Sequence, residues 1–193
     1  ITGYGTSAAN FGLPDIGLLT MTEMVDNAKR IVDAVEVPVI ADADTGYGNA
    51  INITRTVQEY EKAGVNAIHI EDQTWPKRCG HMMGKQVISQ YEMIEKIRAA
   101  VDIRKSSDFL IIARTDALAT DGFKEAINRG KEYHNCGADI IFIEAPRTIN
   151  QIKKIPQLLD DTYLLLNMSP RTPRVSIEDL RDYGYLIVIY PGI

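Results

Sequence analysis

Gly64-Val65-Asn66-Ala67-Ile68-His69-Ile70-Glu71 has a counterpart further along the chain, Gly137-Ala138-Asp139-Ile140-Ile141-Phe142-Ile143-Glu144. In both, a glycine closes a helix-period segment, an apolar run follows, and a glutamate stands at the end of the run. Gly184-Tyr185-Leu186-Ile187-Val188-Ile189-Tyr190-Pro191 repeats the plan without the acid. A glycine that stops a helix in the left-handed conformation and then a short, fully apolar strand is the βα unit of a parallel sheet. Polar groups recurring at the C-terminal ends of successive strands suit a (β/α)8 TIM barrel, whose functional site lies on that face.

Working outward from the repeat, candidate strands fall at 1–4, 37–42, 67–72, 109–115, 139–145, 163–168 and 186–190. Helices are expected over 21–35, 50–63, 89–104, 121–136, 148–159 and 176–183. Thr20/Glu23, Ser89/Glu92 and Thr148/Gln151 have capping-box spacing, and Ser176/Asp179 comes close. Seven strands fall one short of a closed barrel, which takes about 250 residues. The expectation is therefore one partial TIM-barrel domain over residues 1–193, with the first βα unit before Ile1 and the C-terminal helices after Ile193 missing from this chain. An open doubly wound sheet is the structural alternative. It accounts less well for polar residues after so many successive strands. The longest stretch without periodicity, 73–87, reads as a mobile loop.

Of the 193 residues 45% are hydrophobic and 24% charged, ample for one core, and the formal charge is −5. That balance, with no Lys/Arg block, argues against nucleic acid as a partner. No apolar run approaches the length of a membrane span, no signal peptide is visible, and two cysteines make no disulfide scaffold, which points to a cytoplasmic setting.

Four stretches carry chemistry. Asp42-Ala43-Asp44-Thr45-Gly46-Tyr47-Gly48 follows an apolar run, so its two carboxylates, two residues apart at a strand end, point the same way. They could seat a hard divalent cation or simply face solvent in a turn. Trp75-Pro76-Lys77-Arg78-Cys79-Gly80-His81 places a cysteine among basic groups, which would ready it for proton transfer. The same loop could be merely basic and exposed, and zinc binding lacks a second ligand pair. Arg114, at the end of 109–115, could grip a carboxylate or form a barrel salt bridge. Asn167 and Ser169 after the next strand, and the backbone of Gly3-Tyr4-Gly5-Thr6-Ser7, offer donors to an anion. There is no Walker loop and no dinucleotide fingerprint. Cys136 and His69 read as core residues and His134 as helix surface.

Taken with Leu13-Pro14-Asp15, Glu71-Asp72-Gln73, Ala113-Arg114-Thr115-Asp116-Ala117 and Glu144-Ala145, these motifs resemble, over nearly the whole chain, the isocitrate lyase/phosphoenolpyruvate mutase superfamily. The Lys77–His81 loop is similar to its carbon–carbon lyases of the methylisocitrate and 2,3-dimethylmalate type, some relatives of which are named carboxyvinyl-carboxyphosphonate phosphorylmutase. The resemblance implies Mg²⁺, or Mn²⁺, on Asp42, with Asp44, Asp15 and Glu71 holding its waters. It implies Cys79 as the acid on the loop, helped by His81 and Lys77, and Arg114 and Glu144 in the catalytic set. Thr2, Gly3, Tyr4, Arg78, Gly80, Asn167 and Ser169 would bind the substrate. The implied reaction is cleavage of a 2-hydroxy di- or tricarboxylic acid into pyruvate or glyoxylate plus a succinate-type acid, by a homotetramer acting on a small carboxylic acid. The alternatives are a mutase acting on a P–C bond and an inactive binding subunit. Three departures stand out: the family's usual tyrosine would fall before Ile1, the stretch after Asn167 is shorter than the common form with Pro170 where an acid is common, and the family's last helices are missing after Ile193.

Overall fold

The computed structural model describes residues 1–80 and 82–191. Its elements are α1 (Gly3–Thr6), running straight into a π-helical turn (Ser7–Phe11), α2 (Met21–Ala34), β1 (Ile40–Asp42), α3 (Ala50–Ala63) and β2 (Ala67–Glu71). Then come α4 (Gln90–Ile103), β3 (Leu110–Thr115), α5 (Ala117–Thr120), α6 (Phe123–Asn135), β4 (Ile140–Ile143), α7 (Ile149–Leu158), β5 (Tyr163–Asn167), α8 (Ile177–Tyr183) and β6 (Ile187–Ile189). The six strands form one sheet in chain order, every neighbouring pair parallel. The sheet is curled, with helices against its outer face.

Strand alternation explains the layering. Ala41, Ile68, Ile70, Ile111, Ala113, Ile141, Ile143, Leu164 and Leu166 face outward into the main core, under the helices. Ala67, Ile112, Ile140, Phe142 and Leu165 face inward and form a second, smaller cluster. The next inward positions toward the strand ends are Asp42, His69, Glu71, Arg114 and Asn167, all buried. The inside of the sheet is thus apolar at one end and charged at the other.

The expected N-caps are present. Thr20 and Glu23 make a reciprocal capping box, while Ser89, Thr148 and Ser176 each accept the N3 backbone N–H. The repeated glycines 64, 137 and 184 all have φ between 86° and 107°, where a Cβ would be strained. One strand expectation is overturned. Residues 1–4 are not a seventh strand: Ile1 alone of them bonds the sheet backbone, its N donating to the Ile40 carbonyl, while Thr2 O accepts from Thr6 N and starts α1. The β-branched Ile1-Thr2 pair imitates a strand start, but the glycines beside Tyr4 let the chain turn into a helix.

The Asp42–Gly48 turn is clamped from two helices. Tyr60 Oη donates to Asp42 O, Thr56 Oγ1 to Gly46 O and Lys96 Nζ to Thr45 O. Gly46 has φ 84°, and a methyl there would overlap Ile53 Cδ1. Gly46→Ala is therefore expected to destabilise the fold by roughly 2–5 kcal/mol. Urea denaturation should show a lower midpoint with an unchanged slope.

Candidate active site

A cavity of about 370 Å³ opens at the C-terminal ends of the strands, near the small end of ligand-pocket sizes. Thr2, Tyr4, Asp15, Asp42, Cys79, Gly80, Arg114, Glu144, Asn167 and Ser169 all line it. Of the other expected site residues, Gly3 and Asp44 bond Asp42, Lys77 bonds Asp15, and Glu71 pairs with Arg114. Arg78 does not line the cavity: its guanidinium is exposed and donates to Met83 O within its own loop. His81 lies outside the described residues.

Asp42, Asp44 and Asp15 converge on the start of α1. Gly3 N donates to Asp42 Oδ2 at 2.8 Å. A Cβ built on Gly3 would sit 2.8 Å from that oxygen, 3.3 Å from Asp44 Oδ1 and 3.4 Å from Asp15 Oδ1. Only a residue without a side chain leaves this space between three carboxylates free. Lys77, wholly desolvated, bridges Asp15 and Asp44. Glu71 stands apart, accepting from Gln73 Nε2 and pairing with Arg114 Nη1 at 3.1 Å.

The charges bias one another. Burial, with the Asp42 charge beside it, pushes the Asp44 carboxyl up to about 6. Burial acts on Asp42 in the same direction, but the fields of His69, Lys77 and Arg114 and the Asp44 N–H outweigh it and hold Asp42 well below the usual carboxylate range. Burial lowers His69 to about 4, so this imidazole is neutral near pH 7 and charged over the acid range in which Asp42 titrates. Burial also opposes the Lys77 ammonium, yet the surrounding carboxylates keep it protonated. Glu71 is pushed upward by burial, because Arg114 gives its two-pronged contact to Asp116 instead.

His69 shares the inward parity of Glu71. Its Nδ1 lies 3.6 Å from Asp42 Oδ1 and has no hydrogen-bond partner among the described residues. It is buried as expected, beside Asp42 and edge-on to Phe142, but it is not the satisfied core residue expected, because its strand has two buried faces and an apolar neighbourhood does not say which one a residue takes. Cys136 packs against the core as expected, and His134 is half-buried, not at the surface.

The 73–87 stretch is a closed flap. Gln73 and Val87 form an antiparallel bridge at its base, and Thr74 N donates to Gln86 O. Gln73 holds the flap inside as well, its Nε2 donating to Arg78 O and its Oε1 accepting from Arg78 N. Gly80 presses so closely on Glu144 and Arg114 that a Cβ would overlap the Glu144 carboxylate. Arg114 lies over the Phe142 ring, 5.2 Å from its centroid. Asn167 Nδ2 donates to both Glu144 oxygens at 3.3 Å, and its buried Oδ1 has no partner among the described residues.

Residues 1–192 match the family described as phosphoenolpyruvate phosphomutase. The chain belongs to the phosphoenolpyruvate mutase/isocitrate lyase superfamily. It is 55% identical over 193 residues to the 2,3-dimethylmalate lyase of Eubacterium barkeri, covering 99% of this chain and 66% of that enzyme. It is 46% identical over 184 residues to the 2-methylisocitrate lyase of Aeropyrum pernix, covering 94% of this chain and 59% of the relative. A crystal structure of 2,3-dimethylmalate lyase superposes with a TM-score of 0.96 at 41% identity, over 99% of this chain and 65% of that one. Oxaloacetate acetylhydrolase with 3,3-difluorooxalacetate superposes at 0.94 and 40%, over 97% and 65%. The chain thus spans about two thirds, or less, of the length of these relatives. Its curled sheet is the partial parallel barrel expected.

Within this superfamily fold, sequence reasoning passed over the residues that hold the site in shape. Asp72, wholly buried, accepts from Thr115 Oγ1, Arg129 Nη1 and Tyr133 Oη on Oδ2 and from Asp116 N on Oδ1. Arg129 also donates to Ile88 O, where the flap ends. One carboxylate therefore joins β2, the end of β3, α6 and the flap. The signal available was the acid directly after Glu71. An Asp72→Asn substitution turns an amide donor toward these donors. It is expected to cost about 3–5 kcal/mol, as for other broken buried charge networks, measured by chemical denaturation.

Proposed function

We propose that this chain is the catalytic barrel of a divalent-cation-dependent carbon–carbon lyase that cleaves a 2-hydroxy acid of the dimethylmalate, methylisocitrate or isocitrate type. One observation carries the reading: Cys79 on the flap opens onto the same small cavity as Arg114, Glu144 and Asn167, with Asp15 and Asp42 at its edge. The relatives named as lyases at 55% and 46% identity support it.

The residues fit a hard cation. Asp42, Asp44 and Asp15 place carboxylate oxygens around one gap beside Gly3, and the Lys77 ammonium already sits as a cation on the Asp15 and Asp44 oxygens. No group of three or more ligands among the described residues is placed to hold a metal directly. That suits Mg²⁺, which keeps most of its waters and takes one or two carboxylates, or the similar Mn²⁺. Asp42 would be the direct ligand, with Asp44, Asp15 and Glu71 on its waters. When bound, the cation supplies electrostatic stabilisation to the substrate's hydroxyl oxygen as it ionises and becomes a carbonyl.

The chain's own groups do the rest. Arg114 and the Asn167–Glu144 pair fix the substrate's carboxylate and oxygens. The hydroxyl proton leaves to a base, the C2–C3 bond breaks, and its electron pair stays on C3 beside a carboxylate. The Cys79 thiol then gives its proton to that carbon under the flap, away from water. Methylisocitrate would give pyruvate and succinate and isocitrate glyoxylate and succinate. By the same cut dimethylmalate leaves propanoate, so the second product need not be succinate-like. A homotetramer and a cytoplasmic location are part of the proposal. Among the described residues no helix is long and apolar enough to cross a membrane.

The second reading is P–C bond chemistry. The matched family description and a phosphoenolpyruvate phosphomutase structure from Streptomyces platensis, at TM-score 0.90 and 36% identity, favour it. Incubating the full-length protein and Mg²⁺ with the three hydroxy acids and, separately, with phosphonopyruvate separates the two. Ketoacid release from at least one hydroxy acid is expected. Release from none overturns the lyase reading. Cys79→Ser should lower kcat by about 10²–10⁴-fold with Mg²⁺ affinity unchanged by calorimetry. Because the cation competes with the proton on Asp44, raised to about 6, Mg²⁺ affinity should fall as pH drops below about 6 and level off above it.

A further inference from the structure

Lys85 has no part in the chemistry above, yet it is one of three buried lysines among the described residues, with its side chain only 2% exposed. Its ammonium donates to Gly80 O at 2.6 Å and to Asp116 Oδ1 at 2.5 Å. Gly80 follows Cys79, so the first bond fixes the backbone beside the thiol. Asp116 is itself wholly buried and binds Arg114 in a fork, Nε to Oδ2 at 2.9 Å and Nη2 to Oδ1 at 3.1 Å. The Oδ1 atom is therefore shared between Lys85 and Arg114. Gly80 in turn lies against Arg114 Nη2, 2.8 Å from the place its Cβ would take. One ammonium thus holds the flap down and bears on the anion that aims the guanidinium.

The alternative latches have other duties. Lys77 is spent on Asp15 and Asp44, and Gln73 ties the flap to its own base. Among the described residues, Lys85 is the side chain that ties the flap backbone at Gly80 to the end of β3. Charge-assisted bonds of this kind, in a site shielded from water, are the strong ones.

We propose that Lys85 is a positioning residue of the site: through Gly80 O it sets the thiol of Cys79 over the cavity, and through Asp116 it sets the orientation of Arg114. Its role in turnover rests on the lyase reading; its role as the latch of the flap does not. Without Lys85 the flap loses its bond to the end of β3, and Arg114 faces an Asp116 with no second cation.

The test uses the full-length protein with Lys85→Ala and Lys85→Gln, the second in case the first does not fold. Amide hydrogen exchange is followed over 74–86 and over α3 and α6, and kcat and KM are measured on whichever hydroxy acid the unaltered enzyme cleaves. Exchange in 74–86 is expected to rise at least tenfold while the helices stay protected. The kcat is expected to fall at least thirtyfold with KM changed less than threefold. n-Propylammonium, which matches the atoms removed in Lys85→Ala, should restore both, and tetramethylammonium neither. Unchanged exchange over 74–86 overturns the latch whatever the activity. Faster exchange with unchanged kcat overturns the positioning role. If the unaltered protein cleaves none of the acids, the lyase reading fails by itself and the exchange arm still decides the latch.

Discussion

In a curled parallel sheet only every second residue of a strand points inward, and the inward residues of neighbouring strands meet at the same level. Here Glu71 pairs in register with Arg114 and Arg114 with Phe142, while Asp42 pairs with His69 and His69 with Ile112. That register brings acids and a guanidinium from separate strands into contact without any loop having to find its place. It also puts Phe142, Ile112 and Ile140 beneath them as an apolar floor. The charged layer sits on the floor, and its electrostatics follow from that. Desolvation strengthens each pair and penalises each unpaired group, so Arg114, Lys77 and Lys85 are all engaged by carboxylates.

Such a layer is a poor way to gain stability. Buried ion pairs roughly break even against apolar packing of the same volume. The outward-facing core of Ile, Val, Leu and Ala under the helices is what holds the barrel together. The inward charges are held by that scaffold and do not hold it. Asp72 is the exception. It spends its oxygens on the β2–β3 junction, on α6 and, through Arg129, on the flap, so a polar hub takes a load normally carried by packing.

Most of the architecture was legible. The helix–glycine–strand repeat fixed the parallel topology, the six expected helices lie within two residues of their bounds while the short α5 was not foreseen, and the acids at 71 and 144 stand at inward strand ends. What failed did so for identifiable reasons. Residues 1–4 look extended because two β-branched or bulky residues flank the glycine, but strand identity needs a partner, and only Ile1 has one. His69 looked like core because a strand buried on both faces hides its parity in an unbroken apolar run. The contacts of the 73–87 flap were not legible because the stretch lacks periodicity: they come from three buried side chains, Gln73, Lys77 and Lys85, whose partners lie on other segments or across the loop. Nothing local in the sequence announces such contacts.

The same division separates what this barrel shares with its relatives from what sets its chemistry. Of the acids around Gly3, Asp42 and Asp44 are rooted in the sheet and in the Asp42–Gly48 turn, clamped by Tyr60, Thr56 and Lys96 from two helices. Cys79, in contrast, belongs to no strand or helix, and its place over the cavity depends on bonds from the flap's own side chains to Asp15, Asp44 and Asp116. On the proposed reading, a barrel that kept the acidic seat and exchanged the flap would keep its cation site while changing which bond is broken. For the thiol to act, the flap must carry the cysteine and also the cations that anchor it. Grafting Cys79 alone onto another flap supplies the acid without its position.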